Sequence, residues 1–244
     1  MIRIVLIALF LFVYAIISIP LYFVEFIVGK INMDAKTKSS QWIVCKAFRF
    51  IIFLAGAKLT VKGRENVPKD GPVLYVSNHR SYFDIVIGYT LVKNNTGFVA
   101  KKEMEKIPCI SRWMRYLNCQ FLDREDIKAG MKTILKCIEL IKAGTSIFIC
   151  PEGTRTSGDE MLPFKEGSFK IAAKAGCPIV PVAINNTEAL FEDHLPWVKK
   201  AKVVFEFGQP IYMKEMDKEQ QKHVGATVQE IIREMVEKNH ELVE

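Results

Sequence analysis

Val73-Leu74-Tyr75-Val76-Ser77-Asn78-His79-Arg80-Ser81-Tyr82-Phe83-Asp84-Ile85 reads as a strand, a polar turn and the start of an apolar helix. Its first five residues form a compact buried-strand candidate, introduced by the turn signal Asp70-Gly71-Pro72. The helix is expected from Ile85. Outward from this unit the same grammar repeats. Lys58-Leu59-Thr60-Val61-Lys62 alternates with period two. Phe98-Val99-Ala100, Gln120-Phe121-Leu122, Ser146-Ile147-Phe148-Ile149-Cys150, Ile179-Val180-Pro181-Val182-Ala183-Ile184 and Lys202-Val203-Val204-Phe205-Glu206-Phe207 are further strand candidates. Helical patterns lie between them. The clearest runs from Ile127 to Ala143, with Ile127, Met131, Ile134, Leu135, Ile138 and Ile141 on one stripe, and a last helix is expected from about Asp217 to Glu237. Strands alternating with helices predict one α/β domain whose functional residues sit in loops at strand ends.

The N-terminus has a different character. From Ile4 to Pro20 only Ser18 and Tyr14 interrupt the apolar run, which continues to Val28 with Glu25 as its single charge. About 20 apolar residues suffice to cross a bilayer as a helix. A secretory signal is the rival reading, because Arg3 precedes the stretch. Bulky Leu21-Tyr22-Phe23 stands where a small-residue cleavage site belongs, so a retained anchor is expected. A second apolar stretch, Trp42 to Ala57, carries only Lys46 and Arg49. It reads as an amphipathic helix at the interface with its basic groups toward headgroups, against the alternative of a core helix. Lys30, Lys36, Lys38, Lys46 and Arg49 follow the first segment and only Arg3 precedes it, which places the globular part on the cytoplasmic face. The expected organisation is a membrane-anchoring helical segment, residues 1–57, and an α/β domain, residues 58–244.

The 244 residues are 50% hydrophobic and 25% charged, enough apolar material for an ordinary core and too much for extensive disorder. The formal charge of +7 suits an anionic partner: a membrane surface, a phosphate-bearing substrate or nucleic acid. Nucleic acid lacks any motif with interleaved basic and aromatic residues, and is not expected. Six cysteines are scattered without a C-x-x-C pair or a histidine at ligand spacing, so buried free thiols are expected, with neither a disulfide framework nor a metal site.

Two loops carry the chemistry. His79 and Asp84 flank four residues, so a carboxylate in the first helical turn can reach one imidazole nitrogen while the other accepts a hydroxyl proton. On that spacing alone, His79 reads equally as a capping or core residue. Ser77 and Ser81 are not in a G-x-S-x-G elbow and are not nucleophile candidates. The second loop, Pro151-Glu152-Gly153-Thr154-Arg155-Thr156-Ser157-Gly158, offers a guanidinium fork, hydroxyls and loop N–H groups, a combination suited to phosphate; the alternative is a polar surface turn. Lys101-Lys102 and Asp123-Arg124 add polar groups at two more strand ends.

These blocks resemble, in order, those of the glycerolipid acyltransferase family, and specifically its 1-acyl-glycerol-3-phosphate acyltransferases. His79 and Asp84 match N-H-x-x-x-x-D, and Lys101 with Arg124 match the phosphate-binding block. Pro151 to Thr156 resembles F-P-E-G-T-R-S, and Ile179-Val180-Pro181-Val182 matches the last apolar block. The likeness spans roughly residues 60 to 210. It implies a mixed sheet with surrounding helices, His79 as base and Asp84 as its orienter. It further implies contacts to the acceptor's phosphate from Lys101, Arg124, Thr154 and Arg155 beside Gly153, with Glu152 shaping the site. The implied acceptor is lysophosphatidic acid, acylated at its sn-2 hydroxyl by acyl-CoA or acyl-carrier protein, without a metal or other cofactor, next to membrane lipids. Glycerol 3-phosphate, another lysophospholipid, and a non-catalytic lipid-binding role are the competing readings. Three residues depart from the family's pattern. Cys150 stands for an aromatic residue, Thr156 for Ser, and Asn118 for a frequent glycine.

Overall fold

The computed structural model describes residues 2–93, 95–156, 158 and 160–243. Two long helices, α1 (Ile2–Ile31) and α2 (Met33–Ala55), form an antiparallel hairpin. Asn32 makes the turn: its side chain accepts from the Ala35 N–H and caps α2, while Gly56, at φ 73°, ends it. The domain continues as β1 (Lys58–Lys62), β2 (Leu74–Ser77), α3 (Tyr82–Leu91), β3 (Thr96–Lys101), α4 (Pro108–Tyr116), β4 (Gln120–Leu122) and α5 (Ile127–Lys142). It closes with β5 (Ser146–Ile149), α6 (Lys170–Ala175), β6 (Ile179–Asn185), β7 (Lys202–Phe207), α7 (Lys218–Lys222) and α8 (Val224–Lys238).

The seven strands form one mixed sheet in the order β1-β7-β6-β2-β5-β3-β4. Every neighbouring pair is parallel except β6 with β7. Consequently the C-terminal ends of β2, β3, β4, β5 and β6 lie along a single edge. The chain leaves β2 for β3 and β4 on one side, returns to β5, then passes to β6 on the other side. Such a reversal of winding opens a crevice beyond the strand ends.

Period-two alternation sends side chains to two cores. Tyr75, Phe148, Phe98, Val180 and Val182 face one side; Leu74, Val76, Ile147, Ile149 and Ile179 face the other, with Ile138 and Ile141 of α5 and Val228 and Ile232 of α8. In register across the sheet, Phe98 stacks on Phe148 at 4.5 Å and Phe148 on Tyr75 at 6.0 Å. Offset aromatic contacts of this kind add about 0.5–1.5 kcal/mol each beyond area burial.

The first core also takes in the hairpin: Ile7, Tyr22, Val44, Ile51, Ile52 and Ala55 are buried in it. Residues 1–57 and 58–244 therefore share one core. The stretch from Trp42 is the second half of a 23-residue helix whose inner face is core, while Trp42, Lys46, Arg49, Phe50 and Phe53 remain exposed. The inner face thus follows the core-helix alternative, while the exposed face carries the basic groups together with three aromatic residues.

Other expectations shift by a turn. Helix α3 starts at Tyr82 because Ser81 caps it, accepting from the Phe83 N–H, with Asp84 completing a capping box. The last helix divides at His223 into α7 and α8. On α5 the apolar stripe is only half used, since Ile127, Met131 and Leu135 stay exposed.

Candidate active site

The strand-end edge gathers His79, Asp84, Glu152, Arg155 and, from segments absent from the sequence reading, Thr187 and Glu192. Asn78 fixes the first loop. Its buried amide donates to the Ile184 carbonyl at 2.8 Å and accepts from the Ile184 N–H at 3.0 Å, clamping the end of β2 to β6. His79 then emerges with Nδ1 2.8 Å from Asp84 Oδ2.

Asp84 is 1% exposed and satisfied on every side. Its Oδ2 also accepts from the backbone N–H groups of Arg80 at 2.7 Å and Ser81 at 2.8 Å, while Oδ1 accepts from the Thr187 hydroxyl. A carboxylate so placed is held rigidly, and its contact to Nδ1 orients the imidazole. Among the described residues Nε2 has no hydrogen-bond partner, which leaves its lone pair for an incoming hydroxyl.

The loop after β5 is tied to the histidine from beneath. Glu152, 4% exposed, accepts the His79 N–H at 2.8 Å on Oε1, and on Oε2 the Leu162 N–H at 2.9 Å and the Thr156 hydroxyl. Thr156 N–H donates to the His79 carbonyl at 2.9 Å. Glu152 therefore positions the two loops, its oxygens taken up by the chain itself, and Thr156, which keeps a hydroxyl where the family pattern has Ser, uses it to hold Glu152. Gly153, at φ 80°, makes the bend; a Cβ there would lie 2.8 Å from Lys165 Nζ, a further cation at the loop. Thr154 is exposed, and Ser157 lies outside the described residues.

Arg155 is held in place already. Its Nη1 pairs with Glu192 Oε1 at 3.0 Å, and its guanidinium lies 3.7 Å from the centroid of the Tyr82 ring. Glu192 in turn accepts from the Ser81 hydroxyl at 2.6 Å and the Tyr82 N–H at 2.9 Å. Arg80 pairs with Glu188 at 3.2 Å. Burial raises the Glu188 carboxyl above the usual range; its own backbone and Arg80 draw it down, and Asp84 pushes it up.

Lys101 and Arg124 stand apart from this network. Lys101 is exposed and pairs with Glu103 at 3.4 Å. Arg124 makes no hydrogen bond or ion pair among the described residues. Desolvation lowers its pKa, while Cys150 and Glu103 draw it up. It is a cation facing the end of β5 without a committed partner. Neighbouring Lys102 is spent on Asp123 at 2.8 Å.

The departures have local explanations. Asn118 sits at φ 58°, the left-handed conformation that glycine fills most easily and asparagine tolerates. Cys150 lies 3.5 Å from the Ser77 hydroxyl, and burial pushes its thiol up to about 12. All six cysteines are free. Thr187 and Glu192 are invisible in the sequence because they follow β6, more than 100 residues from the Asp84 and Ser81 groups they bind. Asn185-Asn186-Thr187, with Asn186 at φ 65°, is the one turn signal that marks the place.

Comparison with known proteins points the same way as this geometry. A family model described as Acyltransferase matches residues 58–185, a span that holds all four motif blocks. The chain is 40% identical over 157 residues to "1-acyl-sn-glycerol-3-phosphate acyltransferase BAT2, chloroplastic" of Brassica napus, covering 63% of this chain and 45% of the relative. It is 28% identical over 210 residues to the 1-acyl-sn-glycerol-3-phosphate acyltransferase of Saccharomyces cerevisiae, covering 84% and 68%. The chain thus spans less than half the length of the plant relative. The crystal structure of the 1-acyl-sn-glycerophosphate (LPA) acyltransferase PlsC from Thermotoga maritima superposes with a TM-score of 0.79 at 27% identity, covering 97% of both chains. With a family model matched over more than half its length, and with the fold of a solved acyltransferase, the chain belongs to the acyltransferase family.

Proposed function

We propose that this protein transfers a fatty acyl chain from a thioester to the sn-2 hydroxyl of lysophosphatidic acid, giving phosphatidic acid. The observation that carries the reading is the His79–Asp84 pair, with Asp84 locked by two backbone N–H groups and Thr187 and with Nε2 open. The relatives' names favour this acceptor. In the proposed step, Nε2 takes the acceptor hydroxyl's proton as the oxygen attacks the thioester carbonyl. The tetrahedral intermediate collapses, the C–S bond breaks, and the imidazolium returns its proton to the departing thiolate. Asp84 stabilises the imidazolium between the two transfers. No metal or other cofactor enters this scheme.

Arg124, Arg155, Lys101 and Thr154 bind the acceptor's phosphate in this reading. Arg124 supplies a cation without a prior partner. Arg155 supplies the guanidinium N–H groups that Glu192 leaves free. Glu152 and Gly153 shape the loop. The donor is acyl-CoA or acyl-carrier protein. Helix α1, 30 residues long with a mean hydropathy of 2.9 in its most apolar window, holds the chain at the membrane, with the globular part on the cytoplasmic side.

The test is turnover by the purified full-length protein in detergent, offered lysophosphatidic acid, glycerol 3-phosphate and lysophosphatidylcholine with each donor. Lysophosphatidic acid should be the preferred acceptor, and His79→Ala should lose about 10²–10⁴ in rate while remaining folded. Equal use of glycerol 3-phosphate would shift the acceptor assignment; near wild-type turnover by His79→Ala would remove the mechanism.

A further inference from the structure

A groove of about 460 Å³ lies between α1 and α4, lined by Ile19, Tyr22, Phe23 and Phe26 of the first and Arg112, Arg115 and Tyr116 of the second. None of the residues at the candidate active site lines it. Its floor is apolar and open: Ile19 is 68% exposed and Phe23 67%.

Its rim is cationic in an organised way. Three of its aromatic rings each carry a cation over the face. Arg112 stands 4.9 Å above Tyr22, Lys36 3.7 Å above Tyr116, and Lys30 5.5 Å above Phe26. Lys36 reaches Tyr116 because Gly29 leaves a gap on α1. A Cβ at Gly29 would sit 2.6 Å from Lys36 Cδ. The rings themselves are pinned, with the Tyr22 hydroxyl donating to the Cys109 carbonyl at 2.8 Å. Arg115 pairs with Glu105 at 2.8 Å, the only carboxylate ion-paired to any of these four cations among the described residues. The nearby Glu25 is 2% exposed and turned inward onto the hydroxyls of Ser39 at 2.9 Å and Ser40 at 3.0 Å.

A cation over an aromatic face keeps its charge and retains N–H groups for a further partner. Aromatic rings capped by Arg and Lys, set beside exposed Ile and Phe on a helix apolar enough for a bilayer, match an amphiphile with a negative head. We propose that this groove binds one anionic phospholipid that is not the acceptor, with its headgroup phosphate on Arg112, Lys36 and Arg115 and an acyl chain along Ile19 and Phe23. A soluble anion would leave that apolar floor in water, so the lipid is the occupant the surface favours. The bound lipid would set the register of the hairpin and α4 against the membrane plane.

The experiment is native mass spectrometry of the full-length protein in detergent, titrated with dihexanoyl phosphatidylglycerol or dihexanoyl phosphatidylcholine, with millimolar inorganic phosphate as competitor. One phosphatidylglycerol should bind saturably, at least tenfold tighter than phosphatidylcholine and without displacement by inorganic phosphate. Arg112→Gln should weaken it about tenfold or more, the scale of a charge-assisted hydrogen bond lost. Lys36→Gln should weaken it too, and Arg112→Lys should retain part of it. Turnover on the acceptor should be unchanged in Arg112→Gln, which also reports folding. Equal binding of the two lipids would overturn the proposal, as would full displacement by phosphate. If Arg155→Gln rather than Arg112→Gln abolished binding, the lipid would belong to the acceptor's site instead.

Discussion

Replacing Asp84 by Asn isolates the charge behind His79 with almost no change of shape. The Asn carbonyl oxygen can take the place of Oδ2 and still accept from the Arg80 and Ser81 N–H groups and from His79 Nδ1, while its amide nitrogen faces the Thr187 hydroxyl, which turns to accept. What is lost is the negative charge facing the imidazolium formed in the proposed transfer. A hydrogen bond to a charged partner is worth about 1.5–3 kcal/mol, hence roughly 10- to 150-fold in kcat at 1.36 kcal/mol per decade. If the Asn flips and its amide meets Nδ1, the imidazole takes the wrong tautomer and the loss grows to about 10⁴. The assay is steady-state thiol release from acyl-CoA with saturating lysophosphatidic acid, together with a thermal melt. The expected outcome is kcat lower by at least about tenfold, KM for the acceptor within about threefold, and a cooperative melt. A folded Asp84→Asn protein turning over at the wild-type rate would show that His79 is not a base supported by Asp84.

Thr187→Val leaves Asp84 Oδ1 buried without its donor, and an unmade bond to a buried charge costs about 1–3 kcal/mol; kcat should fall several-fold or more, while Thr187→Ser keeps most of it. Arg155→Ala should raise KM for the acceptor far more than for the thioester, and Arg155→Lys should not restore it, because Lys lacks the fork that serves Glu192 and a phosphate together; equal damage to both substrates would refute the phosphate role. With its thiol at about 12, Cys150 holds less than about one part in 10⁴ thiolate at pH 7.5, so iodoacetamide should leave it unlabelled and activity intact in the folded protein. Deleting residues 1–28 strips Ile7 and Tyr22 from the first core and the Ser18 hydroxyl from Trp113 Nε1 at 2.9 Å, so the truncated protein should melt well below the full chain even in detergent.

The strands were legible because each carries its own signal. Six of the seven fall within a residue of their expected runs, and burial on both faces makes the central runs nearly continuous. The His79–Asp84 pair was legible for a local reason: a strand end and a helix start separated by a tight turn leave the two residues few relative positions to adopt. What the sequence withheld depends on partners distant in the chain. Thr187, which completes the Asp84 cage, and Glu192, which holds Arg155, are unremarkable residues until β6 is placed beside β2. Glu152 reads in the sequence only as shaping the site, and the folded loop shows how: its oxygens are claimed by His79, Thr156 and Leu162.

The N-terminal helix shows the same limit in a sharper form. Hydropathy reads α1 as a uniform apolar cylinder, yet Ser18, Tyr22 and Glu25 recur at spacings of four and three and so fall on one face. That face is where the helix meets the rest of the protein. Ser18 accepts from Trp113, Tyr22 donates to Cys109, and Glu25 accepts from α2. A polar residue in such a segment is costly in lipid without a partner, so three of them on one stripe signal a protein partner along that side. The apolar remainder is exposed along the helix, as at Ile2, Phe12, Phe23 and Ile31. The helix is thus divided lengthwise into a face bound to the protein and an exposed apolar face. In the proposed function, that exposed face enters the membrane and holds a site built on strand ends at a fixed disposition to the surface where a long-chain acceptor resides.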